Sequence, residues 1–250
     1  MPSITAPTLI RLTVLTMAGF ALATVFPAYD DASAATINIS VAVVFAAVIG
    51  VMLAQVLARR ARLLDAVRVE LNKLRRLYHL SKNLAEGSQE KFRSWFTELH
   101  GDLYAYLMFF SAKDFSAYDD SNPAFRKLSY HVYTLPELDT RKEQALFDDI
   151  LRTTAQIAEA RQKIKELWDN RLSGYSWTAL LLMTAGFMVS TLFAMNGSSP
   201  ARTVAGAALV AALLAIDLIW EADSLAAERS VMSRRYVLNL SKLELRRDHE

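Results

Sequence analysis

The sequence predicts an all-α membrane protein with four transmembrane helices, a helical cytoplasmic domain between spans 2 and 3, and a helical cytoplasmic tail. Three observations carry this. The chain of 250 residues is 53% hydrophobic, with a mean hydropathy of +0.18, and the apolar excess is gathered into four runs. Lys and Arg collect on one side of those runs. Glycine is scarce, at eight residues, and the segment between the second and third runs carries apolar residues at helical spacing.

The first run covers about Thr8–Ala28 and the second Ile37–Ala58, together a transmembrane hairpin over residues 1–58. The third, Tyr175–Met195, and the fourth, Thr203–Trp220, form a second hairpin over 175–220. Each run is near the roughly 20 residues that cross the hydrocarbon as a helix. A helix satisfies its own backbone N–H and C=O groups, which lipid cannot do. The short connection PAYDDASAAT has Asp30 and Asp31 and no base, and NGSSPAR has only Arg202. Arg59, Arg60, Arg62, Arg68, Lys73, Arg75 and Arg76 follow the second run. Lys163, Lys165 and Arg171 precede the third, and Arg229, Arg234 and Arg235 follow the fourth. The positive-inside rule therefore places both termini and the middle segment in the cytoplasm, with the chain in the plasma (inner) membrane. A competing reading makes the first run a secretory signal, cleaved near Asp31-Ala32-Ser33-Ala34-Ala35; its charge-poor start and the span that follows at once argue for a retained helix.

Residues 59–174 read as a cytoplasmic helical domain. Leu64, Val67, Leu71, Leu74 and Tyr78 extend the second span as an amphipathic helix. Phe92, Trp95, Phe96, Leu99, Leu103, Tyr106 and Phe110 form an aromatic stripe on the next. Asp119-Asp120-Ser121-Asn122-Pro123 predicts a turn, because Asn before Pro disfavours the helical region. A short helix over Ala124–Tyr133 follows, then a break at Leu135-Pro136. Thr140 and Glu143 fit a capping box for a helix ending at Ser173-Gly174, with Phe147, Ile150, Leu151, Ile157, Ile164, Leu167 and Trp168 on one side. Residues 221–250 are expected to form a cytoplasmic helix with Val231, Met232, Tyr236, Leu240 and Leu243 inward.

The chemistry-bearing patterns are few. No phosphate-binding loop, dinucleotide fingerprint, nucleophile elbow or zinc-protease motif occurs, and there are no cysteines. His79, His100, His131 and His249 share no ligand spacing and read as surface or packing residues. Asp119 and Asp120 read as a solvated turn. A net charge of +2 implies no nucleic-acid partner. The expectation is a protein that is not an enzyme and has no cofactor. Within the spans Arg11 lies near an end and can snorkel, Asn38 and Gln55 sit at opposite ends of the second run, and no ionisable residue stands at a centre. That disfavours proton-coupled transport. Small residues such as Gly19, Gly50 and Gly206 permit close helix approach. Asp217 lies roughly 21 Å along the last span, at the hydrocarbon boundary, with Trp220 in the aromatic belt. It is expected to face protein or water and to pair with Arg59 or Arg60. Glu221 and Asp223 are expected to be solvated or paired with Arg229 or a base on a neighbouring helix.

The order of two spans, helical block, two spans and helical tail resembles the bestrophin-type membrane proteins, and more closely the bacterial bestrophin-like family. The segments that carry it are LRRLYHLSKNL at 74–84, FTELHGDLYAYL at 96–107, ILRTTAQIAEARQKIKELWDNRLSGYSW at 150–177, and the Asp217 region. The chain departs where that family tends to follow the aspartate with Pro-Phe and a glycine; here Leu-Ile-Trp-Glu-Ala-Asp continues a helix. The resemblance implies a homo-oligomeric channel, pentameric and conducting inorganic anions, within the lipid bilayer. It implies an apolar constriction from the second span, whose counterparts here are Val44, Phe45, Val48, Ile49 and Met52. The competing reading is that this stripe packs against neighbouring spans. The resemblance also points to Glu221 and Asp223 as a cation site after the last span. The alternative function is a membrane-anchored helical scaffold or sensor whose cytoplasmic block binds a partner.

Overall fold

A computed structural model describes residues 6–29, 32–87 and 90–244. Asp30, Asp31 and His249 lie outside the described residues, as do the side chains of Leu240 and Leu243. Among the described residues there is no strand, and the α-helices are α1 (Ala6–Val25), α2 (Ala32–Gly87), α3 (Arg93–Ala112), α4 (Asn122–Tyr133), α5 (Arg141–Asp169), α6 (Gly174–Phe193), α7 (Ser199–Ser224) and α8 (Ala226–Glu244). Short 3-10 turns cover Glu90–Phe92 and Phe115–Ser121. Stretches within Ser33–Gly87, Arg141–Phe193 and Ser199–Asn239 are long and apolar enough to cross a membrane, and Leu9–Val25 is a shorter apolar helix.

The chain divides into two compact units. The apolar unit joins Met1–Ala58 to Arg171–Ser224; the other joins Arg59–Asn170 to Leu225–Glu250. In the apolar unit α1 packs along α7. The approach is close because both helices present glycine. A Cβ on Gly19 would meet Val210 Cγ2 at 2.6 Å, and one on Gly206 would meet Phe20 Cδ1 at 2.5 Å. Ala23, Leu192, Met195, Ala205 and Leu209 close one end of this unit. Among the described residues, a Cβ on Gly50 would meet no atom of a neighbouring helix within 4 Å.

The second unit has an aromatic core. Trp95, Leu99, Leu103, Tyr106 and Phe110 from α3 meet Val67, Leu71, Leu74 and Tyr78 from α2, with Ile150, Ile157 and Ile164 from α5. Phe96 packs at its margin. From α8, Tyr236 lies against Phe110 at a ring-centroid distance of 4.1 Å, and Met232 is fully buried. Each such side chain contributes about 1.5–3 kcal/mol by leaving water. Val231, expected inward, is 47% exposed: the buried face of α8 is Met232, Tyr236 and Asn239, at the three-to-four spacing that excludes position 231.

Local signals set the helix ends. Thr140 and Glu143 form the expected capping box, with Glu143 N–H donating to Thr140 Oγ1 at 3.2 Å and Thr140 N–H to Glu143 Oε2 at 3.0 Å. Two boundaries differ from expectation. Asn122 is helical (φ −57°, ψ −41°) and begins α4 instead of breaking it. Pro123 then occupies the first turn, where a missing N–H costs nothing, and Asn122 Oδ1 is held by Arg161 Nη2 at 2.7 Å. α5 ends at Asp169, and Ser173 caps α6 by accepting from Ser176 N–H at 3.1 Å. Between α7 and α8, Leu225 adopts φ 54°, left-handed and unusual for a branched residue, while its side chain is buried in the aromatic core.

Candidate functional site

The expected constriction stripe on α2 is divided. Phe45 stacks on Phe187 of α6, with centroids 4.5 Å apart and planes within 2°, and packs beside Ala212 of α7. Ile49 and Met52 join a second cluster with Val56, Leu180 and Ile219. These three therefore brace α2 against its own chain. Val44 is 52% exposed, and Val48 is partly exposed. Ile37 and Val51, each 58% exposed, stand seven residues either side of Val44. At about 100° per residue a seven-residue step returns nearly to the same side, so Ile37, Val44 and Val51 share one bare apolar face. At one end of the helix Asn38 Oδ1 accepts from Ser190 at 2.9 Å and Thr191 at 3.2 Å. Gln55, near the end of the apolar stretch and in the middle of α2, is exposed.

Asp217 pairs with Arg11 of α1, correcting the expected partnership with Arg59 or Arg60. The reason is helix register. Gly19 opposite Val210, Phe20 opposite Gly206, and Arg202 donating to Thr24 O at 2.9 Å fix an antiparallel pairing. Continued along both helices, that pairing sets position 11 beside position 217. Arg59 instead is buried and donates from Nε to Leu167 O at 2.8 Å, and Arg60 pairs with Glu228.

Asp223 is buried, and its two carboxylate oxygens accept from Leu172 N–H at 3.1 Å and Trp177 Nε1 at 3.3 Å. It ties the end of α7 to the start of α6. Glu221 is partly exposed, and its backbone carbonyl accepts from Ser224. Among the described residues no group of three or more His, Cys, Asp or Glu is arranged to hold a metal ion. Trp177 and Trp220 meet edge to face at 5.4 Å.

The second unit holds a polar cluster that sequence reasoning did not single out. Glu70 of α2 is completely buried. It accepts from Tyr118 at 2.8 Å, from Tyr236 at 2.6 Å and from Tyr106, which in turn accepts from Arg161. Arg161, also buried, donates to Ser121 Oγ at 3.0 Å and lies over the rings of Tyr106, Tyr118 and Phe125. Burial, and then the Glu70 charge, push all three tyrosine hydroxyls well above their usual value near 10, so they remain neutral donors. The available signal was an acid inside the apolar stripe of α2 and an arginine inside that of α5. What it lacked was the three phenols, which come from separate elements.

The family model for the bestrophin-like domain matches residues 11–223. This chain belongs to the bestrophin-like family. No curated protein and no solved structure matches it. With three stretches long and apolar enough to cross a bilayer, this bestrophin-like chain is a membrane protein. The family match begins at Arg11, of the Asp217 pair, and ends at Asp223, the carboxylate that ties α7 to α6. It leaves out Leu225 and α8, and with them Tyr236.

One further cluster lies on the surface of the helical unit of this bestrophin-like protein. His131 sits between two carboxylates of α3, with Nδ1 2.5 Å from Asp102 and Nε2 2.7 Å from Glu98. Lys127 also reaches Asp102, at 2.7 Å. Burial pulls the imidazolium of His131 down, but hydrogen bonds to the two acids and their charges more than offset it, raising its pKa above 6.5. The two ring nitrogens face different acids, so the group is a charged clasp between α3 and α4 and does not converge on a metal.

Proposed function

We propose that this protein is a homo-oligomeric ion channel, conducting anions, in which copies of α2 surround the conduction path. The supporting observation is the bare face of α2. Ile37, Val44 and Val51 are apolar and more than half exposed on a helix whose adjoining side, about 100° round, is braced by Phe45, Ile49 and Met52. An uncovered apolar face on one helix of a membrane protein calls for lipid or a second copy of the chain, and family membership favours the second. In this reading α1, α2, α6 and α7 cross the bilayer, both termini and the second unit are cytoplasmic, and Val44 and Val48 form the apolar constriction. A ring of valines gates by dewetting, and polar substitution relieves the barrier. Phe45 serves the path indirectly, by holding α2 on Phe187.

Purified protein reconstituted in liposomes tests this. Chloride efflux should exceed that of protein-free vesicles, and Val44→Ser with Val48→Ser should raise it several-fold. Efflux equal to empty vesicles in both forms would overturn the reading. Because the chain has no cysteine, single introduced cysteines report topology directly. Cysteines at Asp139 and Arg152 should react only from the cytoplasmic side, and one at Ser198 only from the other.

A further inference from the structure

In the second unit a cleft of about 540 Å3 opens between α2 and α8, lined by Arg68, Leu71, Asn72, Arg75, Arg235 and Leu238. Arg68, Asn72 and Arg75 stand at i, i+4 and i+7, on one face of α2, and Arg235 comes from the other wall. Among the described residues no carboxylate lines the cleft. Some arginines of this unit have acidic partners: Arg60 has Glu228, Arg76 has Asp149, and Arg161 has Glu70. Among the described residues Arg68, Arg75 and Arg235 have none.

The walls are fixed by buried contacts. Tyr236, next to Arg235, donates to Glu70 at 2.6 Å. Asn239, fully buried, donates to Leu71 O at 3.4 Å and accepts from Nε of Arg75. That bond orients the Arg75 guanidinium through Nε and leaves both Nη groups as donors. Three guanidiniums facing one concavity repel each other unless an anion joins them. Guanidinium prefers the paired oxygens of phosphate, and the volume lies in the range of small-molecule sites.

We propose that this cleft binds a phosphate-bearing anion, held by Arg68, Arg75 and Arg235 and flanked by Leu71 and Leu238. The ligand chemistry is shared by soluble phosphates and lipid headgroups. The site stands apart from the conduction reading, since binding is measured without flux.

The test uses the full chain in neutral detergent, with inorganic pyrophosphate titrated at low ionic strength and followed by calorimetry and thermal melting. A parallel arm places the protein in phosphatidylcholine nanodiscs with and without phosphatidic acid. Saturable binding of pyrophosphate, weakened at least tenfold by Arg68→Ala with Arg235→Ala and retained in Arg152→Ala, supports the site with a soluble ligand. Stabilisation by phosphatidic acid alone, lost in the same double variant, supports it with a headgroup. Should the alanine variant unfold, Arg68→Lys with Arg235→Lys takes its place, because lysine keeps the charge and loses the bidentate fork; weaker but measurable binding is expected. No saturable response in either arm, or a response unchanged in the double variants, overturns the proposal.

Discussion

Asp217 and Arg11 form an ion pair at the margin of the apolar unit, where each solves the other's solvation problem. Half exposure of Arg11 keeps its worth modest, about 1 kcal/mol, in the upper range for surface pairs. Asp217→Asn and Arg11→Gln should each lower the melting temperature slightly, and the double variant no further than the worse single; additive losses in that cycle would show the two do not interact. Glu70 is the opposite case. Glu70→Gln leaves Arg161 buried without its counter-charge, and removing one partner of such a pair costs about 3–5 kcal/mol. Tyr236→Phe removes one neutral donor and should cost about 1–2 kcal/mol, with faster amide exchange along α8. The clasp at His131 carries a pH dependence. Its pKa is raised in the folded state, so its contribution is complete below pH 6.5 and is lost as pH rises through the folded value. Melting in detergent between pH 5.5 and 8.5 should show that decline in the wild type and a shallower one in His131→Gln. The groups facing His131 are Asp102, Glu98 and, through Asp102, Lys127.

At the scale of elements, α1 and α7 depend on what they lack. A methyl at Gly19 would stand 2.9 Å from the backbone nitrogen of Val210, which cannot rotate away. Gly19→Ala should therefore destabilise by about 1–3 kcal/mol, the usual cost of overpacking, and displace Arg11 from Asp217. Gly50→Ala has open space and should be neutral or slightly stabilising in an isolated chain; a loss of assembly instead would place another subunit there. The α5 capping box contributes about 1 kcal/mol, which Thr140→Ala should remove. That box was legible because Thr-x-x-Glu acts within one turn. The opening of α4 was not. The local preference of Asn before Pro pointed to a break, but Arg161, 39 residues away, holds Asn122 in the helical region.

For the whole molecule, the helical unit is discontinuous in sequence, because α8 completes a core begun by α2–α5. A fragment of residues 59–170 should aggregate or remain loosely packed, with Phe110 and Phe115 uncovered. Supplying residues 225–250 as a peptide should restore a cooperative melt; no change on adding it would show that the tail is dispensable. The fragment and the full chain each present an uncovered apolar surface: in the fragment the side that α8 covers, and in the full chain the Ile37, Val44 and Val51 side of α2.

The sequence by itself determined the helical class, the apolar runs, the buried stripes of α2, α3 and α5, and a family resemblance that the family model supports. Those features rest on periodicity and composition, which act over a few turns and leave a repeating mark. Only the tertiary structure decided which residues meet. It set Arg11 on Asp217 by the register of two small-residue helices, divided the Val44–Met52 stripe into braced and bare sides, and gathered Glu70, three tyrosines and Arg161. Such pairings depend on interaxial distance and rotation between segments far apart in the chain. Neither quantity is written in the local pattern of any one of them.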